Sequence, residues 1–600
     1  MAVCFFYDKL MFSTSTLTIF KNIAVYYPLI FCFFLIQRAH GQEDKIELAN
    51  IYLEQAEQIY KEQKEAIEIA KELFVQAADL DSLNIRANWM AGKLYLETVN
   101  KDRSTKYFLR VEAVNPRYRF DLPYYIGRGY QYGLDFDLAI EKFEFYKKRL
   151  IANKGYRGRD RVPLRIVNRN IEECKNGKDI IKKPSEYSIK NSGENINSVW
   201  PDYAPVLDKE ETFMIFTSRR QEGNLNENVD KDNFYFEDIF ISKKINGQWT
   251  PAENIGESIN TTYHESCIAI SANGKRLYIY SDENMGDIYY SDYDGKEWSR
   301  PLPLTDRINS TSYSERSISE TSSEDVLIYT SDRPGGYGGM DIYMITKDSK
   351  GNWSRSKSLG PVINTRNDED GPFLAYDGKT LYFSSSGHKG YGGYDVFKSV
   401  YDSTNQEWSP PINLGYPVNT PDDEVYFKVS DDNKTGYYAS IREGSLGYTD
   451  IFTVENHVAS GTRKKSEPSR LIETKKLELI AAKETYDPKI LQITHKIHFD
   501  ASTSEIDDAH IAELDSIVIE INKHDLLSIE IAGFASSDGN PRYNIDLSNK
   551  RALIVKDYFV NKGIDEYRIT ALGFGSIEDE NETAEESRRA EVKIVNQAKK

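Results

Sequence analysis

Cysteine is scarce in this chain: four in 600 residues, Cys4, Cys32, Cys174 and Cys267. The first two lie in a leader-like segment, so a disulfide scaffold is excluded and at most one bridge, Cys174 to Cys267, stays open. Positive charge is also short. With a net charge of −18, the chain is a poor candidate for nucleic acid or an anionic membrane surface. Long apolar runs are confined to Ile23 to Ile36, too short for a membrane span and followed by Ala39-His40-Gly41. That pattern reads as a secretory leader over residues 1–41, cut near Gly41-Gln42.

Catalytic constellations are missing too. His264-Glu265 begins like a zinc-protease motif, but Ile268 stands where the second histidine belongs. His495 and His498, three apart on an expected strand, point to opposite faces and cannot share a metal. The clusters Gly335-Gly336-Tyr337-Gly338-Gly339 and Gly390-Tyr391-Gly392-Gly393 resemble a phosphate cradle, yet no helix follows them. Hairpin turns needing positive φ account for them better. No catalytic residue, metal or cofactor is therefore expected, and the protein reads as non-enzymatic.

What is present is repetition. Six hundred residues imply several domains. Over 44–180 the pattern is helical, and Phe74, Phe108 and Phe143 recur at steps of 34 and 35. Gly92 and Gly127 follow the same interval, as do Tyr95 and Tyr130. This period predicts stacked helical hairpins, with Val162 to Lys175 as a closing helix. Over 187–457 the triplets Asp238-Ile239-Phe240, Asp287-Ile288-Tyr289, Asp341-Ile342-Tyr343, Asp395-Val396-Phe397 and Asp450-Ile451-Phe452 recur. Trp249, Trp298, Trp353 and Trp408 follow the first four, and Asn260, Asn309, Asn364 and Asn419 follow in turn, both series stepping by 49, 55 and 55. Such spacing predicts a five-bladed β-propeller. The fifth blade lacks its tryptophan strand, but Glu194-Asn195-Ile196-Asn197 matches Glu257-Ser258-Ile259-Asn260. The N-terminal strand can thus complete the last blade and leave no open edge.

Residues 458–488 read as a polar linker with one helix at Leu471 to Lys483. In the module that follows, 489–600, Ile511 to Ile521 forms a first helix and Ile529 to Ile531 a buried strand. After a Gly/Ser/Asp/Pro turn, Asn544, Leu547, Arg551, Val555 and Tyr558 share one side of a second helix that Gly563 ends. A guanidinium on that apolar flank needs a carboxylate partner, supplied either by the protein or by a ligand.

Gly533, Phe534, Gly539, Tyr543, Asn544, Leu547, Ser548, Arg551, Ala552, Gly563, Ile564 and the closing Arg588-Arg589 resemble the peptidoglycan-binding domain shared by OmpA and MotB proteins. The resemblance implies an α+β module whose Arg551 and a loop aspartate hold the carboxylate and ammonium of a diaminopimelate stem peptide, with Phe534 and Asn544 in the same site. The position of that aspartate carries Ser536, and the nearest carboxylate is Asp538. The hairpins resemble tetratricopeptide repeats, and Ile328-Tyr329-Thr330-Ser331-Asp332-Arg333 resembles the WD-type repeats of Tol-associated propellers. This order resembles Bacteroidota envelope proteins, among them a periplasmic component of type IX secretion, although no lipid-anchor cysteine or extra β-sandwich is evident. The whole implies a periplasmic scaffold at the outer membrane that binds peptidoglycan and other outer-membrane or periplasmic proteins. A glycan-binding or glycan-cleaving propeller tethered to the wall is the alternative. The expected architecture is multidomain: all-α, then all-β, then α+β. Arg551→Ala is expected to abolish wall binding and leave the module folded.

Overall fold

The computed structural model describes residues 42–458 and 494–596, apart from 63–66, 226–228, 231–233, 262, 283–284, 502, 524–526, 537–540, 565–567 and 577–582. The expected leader, almost all of the linker and Asp538 lie outside the described residues. The chain divides into two compact units, one holding 57–75 and 83–467, the other 1–56, 76–82 and 468–600. Each is described by itself. No helix among the described residues is long and apolar enough to cross a membrane.

Helices come first, as three pairs and a single: α1 (Gln42–Glu62) with α2 (Ile67–Leu80), α3 (Ile85–Glu97) with α4 (Ser104–Val114), α5 (Leu122–Tyr132) with α6 (Phe136–Ala152), then α7 (Leu164–Ile180). The period of 34–35 has a packing cause. A Cβ on Gly92 would sit 2.8 Å from the Phe108 ring, and one on Gly127 would sit 2.7 Å from the Phe143 ring. Each glycine lets its helix close onto the aromatic of the next, and both rings are fully buried. Burial of one such side chain contributes about 1.5–3 kcal/mol.

From Tyr187 to Asn456 the chain forms five antiparallel sheets. Their first three strands are Asp202–Leu207, Phe213–Ser218 and Asp238–Ile245 in sheet I, and Ser266–Ile270, Arg276–Ser281 and Asp287–Asp292 in sheet II. Sheet III has Glu315–Glu320, Val326–Ser331 and Asp341–Thr346, and sheet IV has Glu369–Leu374, Thr380–Ser385 and Asp395–Asp402. Sheet V has Glu424–Val429, Thr435–Ser440 and Asp450–Asn456. Short strands complete sheets I to IV. Sheet V is completed from far upstream, by Tyr187–Asn191 paired with Asp450–Asn456. The first strand of each sheet contacts that of the next, and the strand of sheet V contacts that of sheet I.

The repeated asparagine has a mechanical role. Asn260, Asn309, Asn364 and Asn419 each accept from the N–H and donate to the C=O of the aliphatic residue in the Asp-aliphatic-aromatic triplet, at 2.7–3.1 Å. Asn197 does the same to Ile451 at 2.8 Å, across 254 residues. One amide thus satisfies two groups of a strand end, which would otherwise be buried without partners.

The glycine clusters differ from expectation. Of their residues only Gly335 has a φ in the left-handed region, +101°. The others are glycine because neighbours crowd them: a Cβ would lie 1.9 Å from Asp341 Oδ2 at Gly336, and 2.0 Å from Asp395 Oδ2 at Gly390. Close approach, not backbone handedness, selects them. The loop of sheet IV also carries the helices. Tyr391 is fully buried in the core of α6 and α7 with Phe136, Phe143 and Cys174. Arg169 donates to Gly393 O at 3.0 Å, Asn176 to Gly390 O at 2.8 Å, and Lys101 pairs with Asp422. Cys174 and Cys267 are separate, buried free thiols, so the one open bridge is not formed.

The C-terminal module is a four-stranded sheet in the order Thr494–His498, Arg589–Asn596, Leu527–Ala535, Ile569–Ser576. Only the last pair is parallel. Two helices, α8 (Asp508–Lys523) and α9 (Pro541–Asn561), supply Leu514, Ile517, Ile521, Val555 and Phe559 to its core. Gly563, with φ +90°, ends α9 as expected.

Candidate functional site

The strand Leu527–Ala535 and helix α9 meet at Gly533, where a Cβ would lie 2.0 Å from Ser548 O. That main-chain approach brings Phe534, Asn544 and Arg551 together at one end of the strand. Phe534 is buried beneath the Arg589 guanidinium, 5.1 Å from its ring centre. Arg589 is held in turn by Glu591 at 2.7 Å and by Glu586 O at 2.8 Å. Asn544 is buried and donates to Ser536 O at 3.0 Å, which fixes the start of the loop. Ser536 itself is half-buried. Asp538 is outside the described residues.

Arg551 is the largest fully buried side chain among the described residues. Its Nε donates to Thr503 O at 2.9 Å, Nη1 to Phe534 O at 2.9 Å and Nη2 to Asp500 O at 3.0 Å, and it lies 5.2 Å from the Phe499 ring centre. The sequence led us to expect a carboxylate partner. Among the described residues, main-chain carbonyls from two segments take three of its five N–H donors, and their dipoles favour the buried charge. Asp500 and Thr503, which no motif singled out, belong to the site through their backbones alone. Arg551 therefore ties Asp500 and Thr503 to the end of the central strand, so Arg551→Ala removes structural bonds as well as any ligand contact.

The histidines that the sequence singled out sit in side-chain networks. His264 Nδ1 contacts Glu237, its Nε2 lies 3.6 Å from Asp230, and its ring stacks on Phe236 at 4.2 Å. The Glu237 hydrogen bond raises its pKa. His495 bonds Glu513 at 2.6 Å, while the backbone N–H of His498 donates to His510 Nε2 at 3.2 Å. Among the described residues no group of three or more His, Cys, Asp or Glu is placed to hold a metal.

A single sheet backed by two helices, with a buried arginine midway along the second helix reaching the end of the central strand, defines a compact α/β module. Residues 498–593 match the OmpA family model. Outer membrane protein A of Bordetella avium is 38% identical over 106 residues, which cover 17% of this chain and 54% of that protein. The peptidoglycan-associated lipoprotein of Burkholderia pseudomallei aligns at 22% identity over 17% of this chain and 89% of that one, with a TM-score of 0.16. TolB of Acinetobacter baumannii aligns at 14% identity over 49% of this chain and 71% of that one, with a TM-score of 0.28. The chain thus spans about half the length of its Bordetella relative.

Proposed function

We propose that this protein is a non-enzymatic envelope scaffold whose C-terminal module binds peptidoglycan noncovalently. The observation that supports it most is the OmpA family match over residues 498–593, together with the convergence of Ser536, Asn544 and Arg551 at one strand end. The ligand is the diaminopimelate side chain of a stem peptide, an ammonium and a carboxylate on one carbon. Arginine suits the carboxylate by its forked geometry. Because Arg551 is fully buried, the carbonyl of Asp500 or Thr503 gives way as the ligand enters. Ser536 offers only a neutral hydrogen bond to the ammonium, which weakens the grip relative to an aspartate.

The five sheets form a five-bladed propeller clasped by Tyr187–Asn191, and the helix pairs are tetratricopeptide-type hairpins. Both serve as docking surfaces for other envelope proteins, and the protein resides in the periplasm against the outer membrane. The test is co-sedimentation of the protein with purified sacculi, with soluble diaminopimelate-containing stem peptide as competitor. Native protein is expected to pellet and to be released by the competitor, and Ser536→Asp to pellet more strongly. Failure of both forms to pellet would sink the wall-binding reading.

A further inference from the structure

The loop that docks the helices onto sheet IV has a copy in sheet III whose tip, among the described residues, stands half exposed. In sheet IV, the N–H groups of Tyr391 and Gly392 both donate to Asp395 Oδ2 at 2.9 Å, Gly393 N–H to Asp422 O at 2.9 Å, and Tyr394 N–H to Asp423 Oδ1 at 2.8 Å. In sheet III, Tyr337 and Gly338 donate to Asp341 Oδ2 at 2.9 and 3.1 Å, Gly339 to Asn367 O at 3.3 Å, and Met340 to Asp368 Oδ1 at 2.9 Å. Four matched bonds make the two loops the same rigid object. They differ at the tip. Tyr391 is 0% exposed inside the α6–α7 core, whereas Tyr337 is 48% exposed.

The surroundings of the two tips differ in charge. Asp422, which takes Lys101 of the helices, corresponds to Asn367, and Pro421 corresponds to the exposed Arg366. Sheet III therefore lacks the carboxylate that pairs with Lys101 in sheet IV. The copy is continuous with the existing interface, since Asn367 also lines the cleft of about 300 Å³ that Arg169 and Asn176 of α7 share with sheet IV. A second copy of this chain does not fit either, because its own helix cleft is filled by Tyr391.

We propose that the loop around Tyr337 is a docking knob for a helix pair of another protein, one that receives the tyrosine between its helices and meets Arg366 with an acidic rim. This rests on the scaffold reading, but not on wall binding: sacculus pelleting reads the C-terminal module, and the knob can fail or hold independently of it. The arrangement also gives the repeats distinct tasks, sheet IV holding the protein's own helices and sheet III a neighbour's.

The experiment places the photoreactive residue p-benzoylphenylalanine at position 337, and separately at 391, in the full chain made by its own cells, and sequences the adducts. Position 391 is expected to give only internal adducts to α6 and α7. Position 337 is expected to give an intermolecular adduct on two adjacent amphipathic helical segments rich in Asp and Glu, reduced at least tenfold by Arg366→Glu in the same chain. An adduct on extended or basic segments, an adduct on a second copy of this chain, an adduct indifferent to Arg366→Glu, or no adduct at 337 would each overturn the proposal. Tyr337 and Arg366 are surface residues, so loss of folding does not confound the readout, and the internal adducts at 391 confirm that the repeats are assembled.

Discussion

Two arginines, the partly buried Arg442 in the repeat region and the fully buried Arg551 in the C-terminal module, do similar things for different reasons. Arg442 donates to the carbonyls of Pro417 and Val418 at 2.9 and 2.7 Å and lies 3.5 Å from Glu424. Sheet III repeats the arrangement with Arg333 and Glu315 at 2.9 Å, and sheet I with Arg220 and Asp202 at 2.7 Å. In sheet IV His388 stands in for the arginine, bonding Ile363 O at 2.8 Å. Internal copies thus show that this arginine is scaffold, since it makes the same bonds wherever it occurs. Arg551 has no copy. Its carbonyl partners would make it scaffold too, and what points to a ligand is its place in the helix that follows the central strand of an OmpA-type module. Within repeats, a departure from the pattern marks specialisation; in a single module, chemistry has to decide.

The largest loss is expected at the strand–helix contact that places Arg551. Gly533→Ala puts a methyl group 2.0 Å from the main-chain oxygen of Ser548, an atom that cannot rotate away. Helix α9 must then lift from the sheet, parting Arg551 from Phe534 O. A loss of about 3 kcal/mol or more is expected for the C-terminal module, read as a lowered melting transition. Pelleting with sacculi should fall with it, while the melting of the repeats stays unchanged. An unaltered module transition would mean that the close approach is not a constraint.

A smaller effect is expected at the clasp. Asn197→Ala removes both bonds to Ile451 and leaves a buried N–H and C=O unsatisfied, a cost of about 2 kcal/mol. Asn364→Ala removes the equivalent two bonds, to Ile342 of sheet III. If strand Tyr187–Asn191 closes a ring, Asn197→Ala should also speed proteolysis near residue 190, and Asn364→Ala should not. Equal proteolysis would deny the clasp a special role. This asparagine shows how far the sequence carries. Its 49- and 55-residue steps, and the match at Asn197, were legible because sheet geometry demands the same side chain at the same place. The helix end at Gly563 and the apolar face of α9 were legible from periodicity. The partners of Arg551 were not, because Asp500, Thr503 and Phe534 contribute carbonyls, which every residue type carries. Nor could spacing reveal that Tyr391 is covered and Tyr337 bare, since docking depends on what meets the loop rather than on the loop.

The smallest expected effect separates the units by pH. Burial raises the carboxyl pKa of Glu265, Glu369 and Asp450 to about 7, and of Asp395 to about 8. An acid whose folded pKa lies above its unfolded value binds its proton more tightly when folded. Its contribution is complete below the unfolded value, near 4, and is lost as the pH rises through the folded one. The repeat region should therefore melt higher at pH 5 than at pH 8, in contrast to the usual acid destabilisation of salt-bridged carboxylates. Glu265 tests this one group at a time, since both its oxygens accept from Thr261. Glu265→Gln holds the site neutral and should flatten the pH dependence by on the order of 1 kcal/mol, with its benefit confined to pH 8. A Glu265→Gln protein with the native slope between pH 5 and 8 would show that Glu265 is already ionised at little cost, and that the carboxyl layer of the repeats is solvated better than its burial implies.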